Sequence, residues 1–114
     1  MNNELKTIFG DAITVDGTLV PAASIKYKGD SSVYFIWTVT GTKPGLNGDD
    51  DQLCGICTVD IDVYSKSNFL NLIAEIKKIM KNNEWIWTED GPDMFEEDTG
   101  YYHKTMSFEK ERAL

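Results

Sequence analysis

The sequence predicts an α+β protein in which one long and one short helix pack on one face of a mainly antiparallel four-stranded sheet. Three observations predict this. One segment of the 114-residue chain repeats its apolar side chains at the spacing of an amphipathic helix. Four other segments alternate apolar and polar side chains, as strands do. The elements follow the order α-β-β-α-β-β, which is typical of an α+β sandwich.

Size and composition indicate a single globular domain, residues 1–114. Apolar residues make up 41% and charged residues 26% of the chain, a globular rather than a disordered composition. The longest apolar runs fall far short of the roughly 20 residues that a membrane span needs. The first residues also lack the basic start and apolar stretch of a signal peptide. We therefore expect a soluble protein that is not exported by that route.

Residues 1–10 predict a short N-terminal helix, because asparagine can cap its start and Gly10 can end it. Residues 10–24 contain glycine and proline and are expected to be mostly loop with some extended pieces. Residues 24–28 are a candidate for an extra short strand.

Two alternating strands are predicted at residues 33–39 and 56–64, and a long loop, residues 41–54, joins them as a hairpin. One face of each strand is apolar. The other face carries larger mixed side chains, among them Tyr34, Ile36, Ile56 and Tyr64. The loop is rich in glycine and aspartate, and its tip is well placed to touch a neighbouring subunit. Its candidate contact residues are Pro44 and Leu46.

Residues 67–83 give the clearest helix. Its apolar side chains recur at helical spacing: Phe69, Leu72, Ile73, Ile76, Ile79 and Met80. Ser65 or Ser67 can cap its start, and lysines near its end suit the helix dipole.

Two further strands are predicted after the main helix, at residues 84–90 and 100–111, with an acidic loop between them. In the second strand Tyr101 and His103 share one side. Together with the large side chains of the hairpin, they would leave one face of the sheet covered with large groups. A small domain does not easily leave such a face in water, so we expect it, or the sheet edges, to contact another subunit.

His103 is the single histidine of the chain, and three acidic residues, Glu96, Glu97 and Asp98, precede it. Asp60, Asp62 and Asp98 are conceivable carboxylate partners for it. A histidine beside carboxylates can be a metal ligand or a general base. Here no second histidine, glycine-rich phosphate loop or nucleophile elbow accompanies it. We predict no catalytic site, no metal and no cofactor.

Cys54 and Cys57 form a Cys-x-x-Cys pair. A redox pair needs a helix N-terminus, but the residues that follow read as a strand. A zinc site needs two more ligands than the pair supplies. Positions three apart on a strand also point to opposite faces. We expect packed or exposed thiols in an intracellular protein.

Acidic side chains dominate the formal charge, which is −8. A binder of duplex DNA should show a basic surface instead. Strong acidity keeps a protein soluble, repels nucleic acid or imitates it. The carboxylates concentrate in two loops, at Asp49, Asp50 and Asp51 and at Glu96, Glu97 and Asp98.

Two short motifs flank the main helix. One is a strand with the pattern hydrophobic-Asp-hydrophobic, residues 59–61, that leads through Tyr64-Ser65 into the helix. The other is Phe-Glu-Glu-Asp-Thr, residues 95–99, which with Tyr-His-Lys, residues 102–104, opens the last strand. In these motifs residues 20–109 resemble the tail-completion or tail-terminator proteins of long-tailed bacteriophages and prophages. Residues 41–51 and the cysteines beside them depart from the family pattern.

The resemblance implies a structural role and not an enzyme. Proteins of that family form a ring, usually of six copies, that caps the tail tube and joins it to the head. The expected partners are other copies of this chain, the tail tube protein and the neck proteins, with no membrane, and the expected location is the virion, after assembly in the bacterial cytoplasm. Genome DNA would pass through the ring without specific binding, and an acidic lumen would let it slide.

The predicted subunit or tube interface consists of Tyr34, Ile36, Pro44, Leu46, Tyr64, Tyr101 and His103. The predicted acidic lumen or loop consists of Asp49, Asp50, Asp51, Glu96, Glu97 and Asp98. Two other classes stay open. One is an acidic DNA mimic or inhibitor of phage origin that acts on a host nuclease. The other is a small enzyme with Cys54, Cys57 and His103 as its site.

Overall fold

Two helices and seven strands make up the part of the chain that the computed structural model describes, residues 2–44 and 54–113. They are α1 (Asn2–Phe9), β1 (Ala12–Val15), β2 (Thr18–Ser24), β3 (Val33–Pro44), β4 (Cys54–Ser65), α2 (Leu70–Asn82), β5 (Ile86–Asp90), β6 (Met94–Glu96) and β7 (Tyr101–Ala113). The strands form one sheet in the order β1-β2-β3-β4-β7-β5, and β6 also pairs with β7.

The predicted fold, an α+β protein with a four-stranded sheet, is wrong: the protein is mostly β, with seven strands in one mixed sheet. The four predicted strands are present as β3, β4, β5 and β7. The missed strands are β1, β2 and β6. Each of the three is short or interrupted by glycine or proline, and each is held in place by pairing with another strand.

β1 and β2 form a hairpin around Asp16-Gly17, where both residues have positive φ, 52° and 80°. This conformation matches a type I′ turn, whose twist suits a two-residue hairpin and for which Asp-Gly is a preferred dipeptide. The glycines and the proline of residues 10–24 favoured a loop. The Asp-Gly pair was the stronger signal, and the structure follows it.

The parallel pairing of β2 with β3 makes the sheet mixed. Ala22 lies opposite Phe35, and Ser24 lies opposite Trp37. Beyond Ser24 the chain turns at Ile25, which has a φ of 67°, and its backbone N–H donates to the carbonyl oxygen of Trp37 at 2.9 Å. The parallel direction of β2 relative to β3 depends on this long-range contact. The local alternation of side chains therefore did not predict the parallel pairing.

β3, β4 and β7 form the long central part of the sheet. β4 pairs with β3 up to Pro44↔Gly55 and with β7 up to Cys54↔Ala113. The predicted loop 41–54 is therefore too long at both ends. Pairing with β4 extends β3 to Pro44, and pairing with β7 extends β4 back to Cys54. The rest of that loop, residues 45–53, lies outside the described residues.

α2 lies within the predicted range 67–83, and its start differs in detail from the prediction. The N-cap position is Phe69, and no side chain caps it. Ser65 Oγ instead accepts from the Ser67 backbone N–H at 3.1 Å, and Asn68 Oδ1 accepts from Leu70 N–H at 2.9 Å. The loop before the helix is thus held by short-range side-chain bonds.

One apolar core lies between the helices and one face of the sheet, which we call the helix face. Phe9 of α1 contacts Phe35 and Trp37, with ring centroids 5.0 and 5.7 Å apart. α2 contributes the buried residues Leu72, Ile73, Ile76 and Met80. Among the described helices, neither is long and apolar enough to span a membrane. The opposite face of the sheet, the open face, carries the candidate site.

Candidate functional site

The open face brings together five of the residues predicted as an interface: Tyr34, Ile36, Tyr64, Tyr101 and His103. Strand alternation turns Phe35, Val63 and Met106 of the same strands into the core, and the five residues lie on the opposite side. The sheet register places Tyr34 opposite Tyr64 and Tyr64 opposite His103. These side chains therefore lie in a row across β3, β4 and β7.

The row is a stack of rings, which we call the platform: Tyr27, Tyr34, Tyr64 and His103. Neighbouring ring centroids are 4.3, 4.8 and 4.3 Å apart, with interplanar angles of 25°, 14° and 12°. Adjacent strands of a sheet are about 4.8 Å apart. Rings that stand upright at paired positions therefore meet face to face.

Tyr27 is the member of the platform that sequence reasoning missed. It lies between β2 and β3, in a segment without regular structure, and extends the row by one ring. Its position depends on the turn at Ile25, which no local pattern predicted. The one sequence signal that could have placed Tyr27 in the platform is that it is an aromatic residue shortly before the strand that contains Tyr34.

Tyr101 stands across the stack. Its ring meets Tyr34 and Tyr64 edge to face, at centroid distances of 5.6 and 6.3 Å. Its hydroxyl donates to the carbonyl oxygen of Ser31 at 2.5 Å, and Lys66 Nζ lies 5.0 Å from its ring centroid. Tyr101 thereby ties the start of β7 to the segment before β3.

His103 is held between two carboxylates from different strands. Its Nε2 lies 3.0 Å from Asp62 Oδ1 of β4, and its Nδ1 lies 4.0 Å from Glu96 Oε2 of β6. Thr105 also donates to Asp62 Oδ1, at 2.5 Å. Of the three carboxylates considered as partners, Asp62 is the one in hydrogen-bonding contact.

Asp60 lies on the same face of β4 as Asp62. It accepts a hydrogen bond from Ser107 Oγ at 2.8 Å. Ile36 lies half-buried opposite Asp62, and Thr38 lies opposite Asp60. The open face is thus aromatic at one end and hydroxyl- and carboxylate-rich at the other.

Partial burial changes the acidity of two platform tyrosines. Burial is the main cause that raises the pKa of Tyr64 to about 12, followed by the charge of Asp62 and the nearby Tyr34 and Glu96. Burial is also the main cause that raises the pKa of Tyr34, followed by Tyr101, Glu96 and Tyr27. Both hydroxyls therefore hold their protons across the neutral pH range.

The acidic residues predicted as a lumen or loop are not one cluster in the described structure. Glu96 ends β6 beside His103, whereas Glu97 and Asp98 lie exposed in the turn before β7. In that turn Thr99 Oγ1 donates to Glu96 Oε1 at 2.9 Å and accepts from the Tyr101 backbone N–H at 3.4 Å. Asp49, Asp50, Asp51 and Leu46 lie outside the described residues. Pro44 ends β3, and its side chain is not described.

Only one cysteine of the Cys-x-x-Cys pair has a described side chain. Cys57 is buried on the helix face, only 1% exposed. Cys54 opens β4, and its side chain is not described. No group of three or more His, Cys, Asp or Glu side chains that could hold a metal ion occurs among the described residues.

Chemically, the platform offers flat aromatic surfaces and edge hydroxyls, and the carboxylates of Asp62 and Glu96 lie beside it. Stacked tyrosines give a large, rigid contact area at a small cost in side-chain entropy, and tyrosine is enriched at protein interfaces. The imidazole of His103 is covered on one side by Tyr64 and hydrogen-bonded to Asp62. Neither the models of known protein families nor curated proteins match this sequence.

Proposed function

We propose that this chain is a structural subunit of a long-tailed phage or prophage virion, a tail terminator or tail-completion protein. Copies of it form a ring, of about six subunits by the resemblance, that caps the tail tube and joins it to the head. The observation that carries the proposal is the platform on the open face, because a surface of this kind is built for contact with protein.

The size of the platform supports a role in binding another protein. Four rings stack across three strands of the sheet and the irregular segment before β3, and Tyr101 adds a fifth aromatic side chain. All five side chains are only half-buried in the single chain. Aromatic side chains in such a position commonly become the centre of an interface when a partner covers them.

The contacts of His103 support a structural rather than a catalytic role. A general base needs a substrate or nucleophile within hydrogen-bond reach. In the described residues its nitrogens face Asp62 and Glu96, which join β7 to β4 and β6. In this proposal the chain is not an enzyme, and the three groups fix the shape of the platform.

The charge of the chain supports a passage for DNA through the ring. The formal net charge is −8 per copy. An acidic wall repels phosphates and so lets DNA slide without specific binding. The further partners in this proposal are the tail tube protein and the neck proteins of the virion.

Sedimentation with tail tubes tests the proposal. The purified protein is mixed with tail tubes of the phage that carries it, and the tubes are pelleted. The proposal expects the wild type in the pellet and Tyr34→Ser in the supernatant. Leu19→Ser, a change at an exposed residue of β2 away from the platform, is the matched control and should pellet. A folded wild type that stays in the supernatant, whether monomer or dimer, would overturn the proposal and favour an acidic inhibitor of a nuclease.

A further inference from the structure

Most of the exposed large apolar side chains in the described chain lie along one edge of the sheet. β5 and β6 both pair with β7 on the side away from β4, so together they form this edge, the β5–β6 edge. Of eight such side chains among the described residues, six lie on or beside it: Leu70, Ile86, Trp87, Met94, Phe95 and Tyr102. Apolar side chains on an open edge strand invite pairing with another chain.

One end of the β5–β6 edge is apolar and acidic. The rings of Phe95 and Tyr102 contact each other there, with centroids 4.9 Å apart. Tyr102 also lines a cleft of about 570 Å³ whose walls include Leu70, Asp93 and Lys66. The exposed turn that holds Glu97 and Asp98 follows β6 directly.

The other end of the β5–β6 edge is apolar and carries two lysines, one of them paired with Asp90. A cleft of about 380 Å³ lies there, lined by Trp85, Ile86, Trp87, Phe108, Lys77 and Lys81. Lys77 Nζ sits 4.2 Å from the ring centroid of Trp87 and 3.1 Å from Asp90 Oδ2. Glu89 pairs with Ser107 and so belongs to the open face, away from this cleft.

Both ends face the same direction. Trp87 lies opposite Phe108, and Phe95 lies opposite Tyr102, so the two exposed rings stand on the helix face of one edge. Two patches that face the same way cannot join copies head to tail in a ring. They can meet when a second copy is related to the first by a two-fold axis. The axis places the Phe95 end of each copy against the Trp87 end of the other copy.

We propose that two copies of this chain pair through the β5–β6 edge about a two-fold axis. Phe95 and Tyr102 of each copy enter the cleft between Trp85 and Trp87 of the other. The half rotation also places the acidic turn at Glu97 near Lys81, twice in each pair. Charge and apolar surface are therefore complementary between identical copies, and the open backbone of the edge strands can add hydrogen bonds.

This pairing is independent of the ring. It is a closed contact of two copies through the edge and the helix face, whereas the ring proposal rests on the open face. A protein that forms rings but never pairs would overturn the pairing alone. A protein that pairs but never binds tail tubes would overturn the ring alone.

Sedimentation velocity over a range of concentrations tests the pairing. The wild type should form a reversible dimer. Phe95→Ser and Trp87→Ser should each weaken it by roughly thirty-fold or more, as loss of a central aromatic side chain does. Leu19→Ser is the control, since Leu19 is as exposed, at 67%, but lies on β2. Circular dichroism confirms that each variant is folded.

Charge reversal tests the two-fold arrangement itself. Lys81→Glu and Glu97→Lys should each weaken the dimer several-fold, because like charges then meet at both ends. An equal mixture of the two variants should restore dimers of wild-type strength, since opposite charges meet again in the mixed pair. A wild type that is monomeric throughout, a dimer that Phe95→Ser leaves intact, or a mixture no stronger than its components would overturn the proposal.

Discussion

The ring of Tyr64 lies nearly parallel to the imidazole of His103, with centroids 4.3 Å apart and an interplanar angle of 12°. The two residues occupy paired positions on β4 and β7. Tyr34 covers the other face of Tyr64 at 4.8 Å. Tyr64 is thus the central ring of the platform, and changes to it should affect both the fold and the open surface.

Tyr64→Ala should lower the free energy of unfolding by about 1–3 kcal/mol, because it removes two stacked contacts together with buried ring area. Urea denaturation followed by circular dichroism measures the change. Leu19→Ala, at a 67% exposed position of β2 outside both proposed contacts, is the control and should cost less. Equal losses for the two variants would show that the stack adds nothing.

Asp62→Ala should lower the free energy of unfolding by about 1–3 kcal/mol, because two hydrogen-bond partners, His103 and Thr105, lose their acceptor. Asp60→Ala removes the acceptor of one bond, from Ser107, and should cost less. Denaturation of both variants in one buffer gives the comparison. A larger loss for Asp60→Ala would contradict the assignment of Asp62 as the main polar anchor of the open face.

Stability should fall in alkali because of the platform tyrosines. Burial is the main cause that raises the pKa of Tyr64 to about 12 in the folded chain, whereas the ordinary value for tyrosine is 10.0. The folded state therefore holds this proton more tightly than the unfolded state. The associated stability is fully present below pH 10 and is lost as the pH rises through about 12. Tyr64→Phe should show a weaker decline over this interval in denaturation curves, and an unchanged decline would contradict the role of Tyr64.

Ile76 tests the core between α2 and the sheet. Its side chain has no exposed surface, so Ile76→Ala should cost about 2–5 kcal/mol by losing buried methyl groups and leaving a cavity. Lys78→Ala, at an exposed position of the same helix, should change the free energy by less than about 0.5 kcal/mol. Thermal and urea unfolding together check both values. A loss well under 1 kcal/mol for Ile76→Ala would show that this side of α2 is not packed in the core.

Alternation along the strands predicted which residues share the open face. In β3, β4 and β7 the apolar residues on one side are buried, and this alone places Tyr34, Tyr64 and His103 on the same face. The ring stack then follows from strand register, which alternation does not give. Tyr27 could not be assigned, because it reaches the platform through an irregular segment after the parallel pairing of β2 with β3.

The fold class was wrong for local and long-range reasons. The Asp16-Gly17 turn is a local signal, and greater weight on it would have predicted the β1–β2 hairpin. β6 could not be predicted in the same way, since Met94–Glu96 has only three residues and depends on pairing with β7. The lengths of β3 and β4 likewise depend on β7, which pairs with β4 as far as Ala113.

Electron microscopy of tail tubes mixed with the purified protein tests the central claim most directly. The account predicts a ring of about six copies at one end of each tube, and it predicts that Tyr34→Ser and Tyr64→Ser leave the tubes bare while Leu19→Ser still caps them. Tubes without an added ring in the presence of folded wild-type protein would contradict it.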